Sequence, residues 1–158
     1  MKKTNLQRQI EQELVQIQVM VAETERMLEK LQRTGDKDYL GTIALNLQSF
    51  YTAVERILIV IAKEIDTVIP KAEDWHQALL KQMAVEIPEV RQSVFGIQSL
   101  LSLDEFLRFR HVVRSNYAHQ LDPERVQALA RKLDVVSYHF VKDCQQFCAG
   151  LQPPKQQQ

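Results

Sequence analysis

The sequence has little of the residues that interrupt regular structure. It contains only 4 Gly and 5 Pro among 158 residues. So few turn-forming residues leave little room for the many tight turns of a sheet-rich fold. Hydrophobic residues make up 45% and charged residues 25% of the chain, as in ordinary globular proteins. The composition therefore favours long helices joined by short connections, and the length suits a single domain.

Cysteine is also scarce, and its placement argues against metal or redox chemistry. Cys144 and Cys148 lie four apart on a predicted helix, with no cluster of Cys or His residues near them in the sequence. Structural zinc sites and redox motifs need closer or more numerous ligands. We interpret both residues as semi-buried thiols, and we expect neither a metal nor a cofactor.

An excess of charge of either sign is absent as well. The chain has 20 basic and 20 acidic residues and a formal net charge of +0, so any nucleic-acid site must be a local basic patch. No apolar run approaches the roughly 18 residues of a membrane span, and no apolar segment follows Lys2 and Lys3 as it would in a signal peptide. We expect a cytoplasmic protein that does not cross a membrane.

Apolar residues recur at helical spacing along most of the chain and predict an all-α bundle of about five helices. The second helix is apolar on most sides, which is typical of a helix at the centre of a bundle, and we expect the long first and second helices to be antiparallel. One helical domain is expected over 1–151, followed by a Pro- and Gln-rich disordered tail over 152–158. The predicted helices span about 6–31, 39–68, 74–87, 102–119 and 123–150.

Local signals mark several helix ends. Thr4 and Ser102 each begin a capping-box pattern, and Asp122 followed by proline indicates an N-cap with proline in the first turn. Gly35 is placed to end the first helix in a left-handed conformation.

The fourth predicted helix breaks the expected polarity pattern. Arg110 and Arg114 fall in the centre of its apolar face, and an unpaired buried guanidinium costs several kcal/mol. Either these arginines pair inside the chain with carboxylates such as Glu55, or the face lines a cleft, between subunits for example, where the cations bind phosphate. His111 adjoins Arg110, and we expect it to share one side of the helix with both arginines.

The remaining histidines carry weaker signals. His119 follows Arg114, but on a straight helix it points away from that residue, so we interpret it as a C-terminal residue that interacts with the helix dipole. His76 and His139 are interpreted as structural.

Three stretches in this order resemble the HepT-like branch of the HEPN superfamily. The first comprises FYTAVERI at 50–57 and AKEID at 62–66, the second is the Trp-His pair at 75–76 with the leucines at 79–80, and the third runs from LRFRHVVR at 107–114 to LDPER at 121–125. Together they cover about 40–126. Such a series is more specific than one short motif.

The family motif can be placed on this chain in two frames. HEPN ribonucleases carry an Arg, then four to six residues, then a His, and the HepT form adds a Tyr two positions after that His. Arg110 and Tyr117 fit this frame, with Ser115 at the position of the His. Moving the frame to Arg114 and His119 restores the His but places a leucine at the Tyr position.

The resemblance implies a metal-independent endoribonuclease that acts as a homodimer, with the motif helices of two subunits facing one cleft. In such a reaction the RNA 2′-hydroxyl attacks phosphorus, an imidazole moves the proton, and arginines stabilise the charge that develops. His111 is then the base and Arg110 and Arg114 are the phosphate clamps, with His119 as the reserve imidazole. The resemblance also implies an MNT-type nucleotidyltransferase antitoxin that adenylylates Tyr117.

Three hypotheses remain open at this point. The chain is an RNase toxin, or a HEPN scaffold that has lost its chemistry and serves as a dimeric helical binding module, or an unrelated helical adaptor whose long first helix binds a partner. Ser115 favours the second hypothesis over the first.

Overall fold

The computed structural model describes residues 3–151, which form five α-helices and no β-strand. A π-helical turn, Ala62–Asp66, continues the second helix, and a 3₁₀ turn, Ala118–Gln120, precedes the fifth. The predicted all-α class is confirmed, while the predicted tail at 152–158 lies outside the described residues. The helices are α1 Asn5–Thr34, α2 Tyr39–Ile61, α3 Trp75–Met83, α4 Ile97–Ser115 and α5 Pro123–Gly150.

Helices α1 and α2 form the expected antiparallel hairpin. The Thr4 capping box opens α1, and Gly35 closes it with a φ of 68°, as the sequence predicted. The early part of α1 meets the late part of α2, where Arg56 Nη1 lies 3.9 Å from Glu13 Oε1. Since the two helices run in opposite directions from a short turn, their apolar stripes face each other along most of their length.

Helix α2 is the centre of the bundle and contacts each of the other four helices. Its buried side chains point in several directions, which explains why its apolar pattern is broader than one stripe. Among the described residues, α2 with its π-helical turn is the one helix that is long and apolar enough to cross a membrane. More than half of its apolar stretch is buried inside the bundle.

A buried ion pair holds the end of α2 to the segment before α4. Asp66, in the π-helical turn, accepts hydrogen bonds from Nε and Nη2 of Arg91. The same guanidinium donates to the backbone carbonyls of Gln82, Val85 and Gln92. Every N–H group of this guanidinium thus donates a hydrogen bond. The pair therefore has a structural role, and the Arg has no free donor for a ligand.

The boundaries of α4 differ from those predicted. The helix begins at Ile97 after Gly96, so Ser102 lies inside it and the predicted capping box there is wrong. It ends at Ser115, well before His119, where Asn116 adopts an extended backbone and its side-chain amide donates to the carbonyl of Val112 at 2.8 Å. A side chain that bonds the backbone in this way competes with the next helical turn.

The start of α5 agrees with its sequence signals. Asp122 is the N-cap and accepts a hydrogen bond from the backbone N–H of Glu124 at 3.0 Å, and proline occupies the first turn. Far along α5, the carbonyl of Cys148 accepts from Gln7 Nε2 at 2.8 Å. These contacts place the α4–α5 junction, 116–122, at one end of the bundle.

Candidate active site

Arg110 is buried and paired within its own chain. Its residue surface is 2% exposed, and Nη2 donates to Glu55 Oε2 at 2.7 Å. The guanidinium also lies over the ring of Tyr51, with Cζ 4.7 Å from the ring centroid, in a cation–π arrangement. Of the two explanations for an Arg on the apolar face, internal pairing with Glu55 is therefore the one that holds for Arg110.

This pairing changes the role expected of Arg110. A guanidinium enclosed by Glu55 and Tyr51 cannot reach a phosphate in solvent unless the core opens. The side chain therefore anchors α4 to α2, and its expected role as a direct phosphate clamp does not fit its position in the single chain.

His76 joins the same cluster from α3. Its Nδ1 lies 2.8 Å from Glu55 Oε2 and 3.1 Å from Arg110 Nη2. The imidazole stacks on Trp75, with ring centroids 3.6 Å apart and planes inclined by 30°. Three residues far apart in the sequence thus form one polar group within the apolar core, which we call the Glu55 cluster (Glu55, His76 and Arg110).

Tyr51 borders the Glu55 cluster and carries an unsatisfied hydroxyl. Within the described residues its oxygen is buried and has no hydrogen-bond partner. Burial, and secondarily the negative charge of Glu55, raises the pKa of this hydroxyl far above its usual value. The phenol therefore stays neutral, and its ring supports the guanidinium of Arg110.

Tyr51→Phe tests that description of the hydroxyl. The variant removes a buried polar group without a partner and keeps the ring, so we expect the free energy of unfolding to rise by about 1 kcal/mol. Urea denaturation measures the change, and Tyr138→Phe, at an exposed position, is the matched control. A fall of similar size in the Tyr51 variant would mean that the hydroxyl has a partner.

Arg114 and His111 point to solvent, unlike Arg110. Both are exposed. The expectation that Arg110, His111 and Arg114 share one side of the helix is thus wrong in part: consecutive helical residues are about 100° apart, which sends Arg110 inward and His111 outward. In residues 3–151, Arg114 forms no ion pair.

Tyr117 and His119 lie beyond the end of the helix, on the exposed α4–α5 junction. Tyr117 is 73% exposed, and its ring stacks on that of His119 with centroids 5.8 Å apart and planes inclined by 7°. The expectation that His119 points away from Arg114 assumes that both residues lie on one straight helix. Because α4 ends at Ser115, that assumption does not apply. We call Arg114 with His111, Tyr117 and His119 the α4-end cluster.

Sequence reasoning found the α4-end residues but missed His76 as part of a polar group. The sequence indicates Glu55 as a possible partner for Arg110, but it supports only a structural interpretation of His76. The sequence signals for His76 are the adjacent Trp75 and the position of Glu55 at the edge of the apolar stripe of α2. They did not suffice, because the three residues of the Glu55 cluster come from three different helices.

The described residues hold no group of three or more His, Cys, Asp or Glu side chains arranged for a metal ion. Cys144 and Cys148 are free and buried. Burial raises the pKa of both thiols, most strongly that of Cys144, and such thiols are poor nucleophiles and metal ligands.

Comparison with families of known proteins identifies a relationship for this chain. No curated protein and no solved structure matches this chain. The family of HepT-like proteins matches residues 42–151, which is more than half of the chain and includes the Glu55 cluster, the α4-end cluster and all of α5. The chain therefore belongs to the HepT-like family of the HEPN superfamily.

Proposed function

We propose that this HepT-like chain is the toxin of a HEPN/MNT toxin–antitoxin system and a metal-independent endoribonuclease. The observation that best supports the proposal is the α4-end cluster, in which an exposed Arg without an ion-pair partner in residues 3–151 is accompanied by two exposed imidazoles. Such a guanidinium is available to bind a phosphodiester.

The chemistry needs only side chains of these types. The 2′-hydroxyl loses its proton to a base and attacks the adjacent phosphorus, the bond to O5′ breaks, and an acid protonates the leaving oxygen. Arg114 would stabilise the charge on the non-bridging oxygens, and His111 and His119 are the exposed imidazoles able to move protons. Arg110 contributes by holding α4 in place.

The direct test is an RNA cleavage assay in excess EDTA. Cleavage is expected to continue and to leave 2′,3′-cyclic phosphate and 5′-hydroxyl ends, because the attacking oxygen comes from the RNA itself. DNA of the same sequence should stay intact, since it lacks the 2′-hydroxyl. His111→Ala and His119→Ala, assayed side by side, identify which exposed imidazole is needed. Loss of cleavage in EDTA, restored by a divalent ion, would contradict the mechanism.

A second candidate is a dimeric helical binding module without catalytic activity. Two observations favour it: Ser115 stands at the His position of one motif frame, and the Arg of that frame is enclosed in the Glu55 cluster. A pure, folded protein that never cleaves RNA would support this function over the first.

We also propose that the chain is a homodimer that uses the outer face of α4. Ile97 and Leu101 are 61% and 60% exposed there, on the same face as His111 by helical periodicity. Exposed apolar residues in line with a functional side chain are typical of an interface. A dimer would bring two α4-end clusters to one cleft.

Light scattering at micromolar concentration should give the mass of two chains. Leu101→Glu should shift the protein towards one chain, because it places a charge in the proposed interface, whereas Val85→Glu, at an exposed apolar position away from α4, should not. A wild-type protein that is monomeric under these conditions would contradict the proposed dimer.

The proposed antitoxin partner is an MNT-type nucleotidyltransferase that adenylylates Tyr117. The exposure of this phenol supports the proposal, since its oxygen can be reached from solvent. An added phosphate beside Arg114 would place negative charge where the RNA backbone is proposed to bind, and would block it by repulsion and by pairing with the guanidinium.

A further inference from the structure

The Glu55 cluster contains an imidazole whose orientation is determined by its neighbours. A carboxylate oxygen only accepts hydrogen bonds, so we assign a hydrogen to His76 Nδ1, which donates it to Glu55 Oε2 at 2.8 Å. In a neutral imidazole the other nitrogen, Nε2, then has the lone pair. With this assignment, the 3.1 Å contact between Nδ1 and Arg110 Nη2, which is also a donor, is not a hydrogen bond.

The His76 ring is only partly buried. The side chain of His76 is 35% exposed, while that of Glu55 is 9% exposed. Because Nδ1 lies against the buried carboxylate, the exposed part of the ring is the edge away from Glu55. Nε2 forms no hydrogen bond within the described residues. Stacking on Trp75 holds the plane of the ring.

His76 contacts the helix that carries Arg114. It contacts the side chain of Arg110, and Arg114 follows Arg110 by one helical turn, a rise of about 6 Å. The exposed imidazoles of His111 and His119 have no carboxylate that orients them within residues 3–151. Of these three histidines, His76 is therefore the one whose tautomer is assigned by a carboxylate, and its Nε2 forms no hydrogen bond in the described part of the chain.

We infer that His76 is the general base of the proposed ribonuclease, with Glu55 as its positioning residue. This inference rests on the proposed function. Nε2 of His76 takes the proton of the 2′-hydroxyl, the 2′-oxygen forms its bond to phosphorus, and the bond from phosphorus to O5′ breaks. The leaving oxygen takes its proton from His111 or His119 in the imidazolium form, and His76 later releases its proton to water. A carboxylate that orients a base in this way is a recurrent arrangement in catalysis.

The test combines kinetics with chemical rescue. His76→Ala is expected to lower kcat at least 100-fold with KM changed less than threefold, because Arg114 still binds the phosphate. Added imidazole should restore a large part of the lost rate, since the space beside Trp75 can hold the free ring. His139→Ala, on α5, is the matched control and should keep the wild-type rate. A structural role for His76 would not give rescue by imidazole.

A second readout is independent of cleavage. Long-range ¹H–¹⁵N spectra of the wild-type protein should show the hydrogen of the neutral His76 ring on Nδ1, and circular dichroism should show that His76→Ala remains helical. Wild-type cleavage with full activity in His76→Ala, or a hydrogen on Nε2, would overturn this inference and leave the proposed function standing. A wild-type protein that cleaves no RNA would overturn both.

Discussion

Arg110→Ala is expected to lower the free energy of unfolding by about 3 to 5 kcal/mol, because it leaves the buried carboxylate of Glu55 without its cation. The pair joins the late part of α2 to α4 at a site where both side chains are more than nine-tenths buried. Loss of the guanidinium also removes the cation–π contact with Tyr51. Urea denaturation followed by circular dichroism measures the change.

Two controls separate the buried charge from other effects of the substitution. Arg114→Ala removes an exposed Arg from the same helix and should change stability by no more than about 0.5 kcal/mol. Combining Glu55→Gln with Arg110→Met removes both charges and should recover much of the stability lost in Arg110→Ala. Arg110→Ala with wild-type stability would mean that the Glu55 cluster does not hold α4 to α2.

Arg114→Ala is expected to lower kcat/KM for RNA cleavage by about 30- to 1,000-fold, equivalent to about 2 to 4 kcal/mol of transition-state stabilisation. The reason is that the negative charge that develops on the non-bridging oxygens loses its positioned cation. The fold should stay intact, so the effect belongs to the reaction and not to unfolding. Initial rates on a short fluorescent RNA measure it.

Arg108→Ala is the matched control for Arg114→Ala. Arg108 is also an exposed Arg of α4, but its Nη2 lies 2.8 Å from Asp104 Oδ2. Because its charge is partly neutralised, its removal should change kcat/KM less than threefold. Arg114→Lys should retain part of the activity, since Lys keeps the charge but not the planar pair of donors. Equal effects of Arg108→Ala and Arg114→Ala would indicate a general loss of positive charge in place of a specific site.

Local signals predicted the fold well wherever the residues that decide an element are close together in the sequence. The Thr4 capping box, Gly35 and the Asp122 N-cap each act within one helical turn, and all three were confirmed. Ser102 shows the limit of such signals. It has the spacing of a capping box, but the helix has already begun at Ile97, after the buried residues Val94 and Phe95 and the N-cap Gly96.

The site was harder to predict because its decisive contact joins distant parts of the chain. The sequence leaves two alternatives for the role of Arg110, internal pairing with a carboxylate or phosphate binding in a cleft. Its partner Glu55 lies on α2, and only tertiary packing brings the two side chains together. Helical projection assumed that α4 continues to His119. The helix instead ends at Ser115, where the Asn116 side chain donates to the backbone, so the residues after Ser115 do not lie where the projection places them.

The α4–α5 junction has a further consequence for the dynamics of the molecule. None of its residues is buried, and its hydrogen bonds are local, such as those between Tyr117 and Gln120. A segment with so few interactions opens at a much smaller free energy than the whole bundle, so its amides should exchange with solvent deuterium while α2 stays protected. The proposed adenylylating partner would therefore need to break only these local bonds and the stacking of Tyr117 on His119 to reach the phenol.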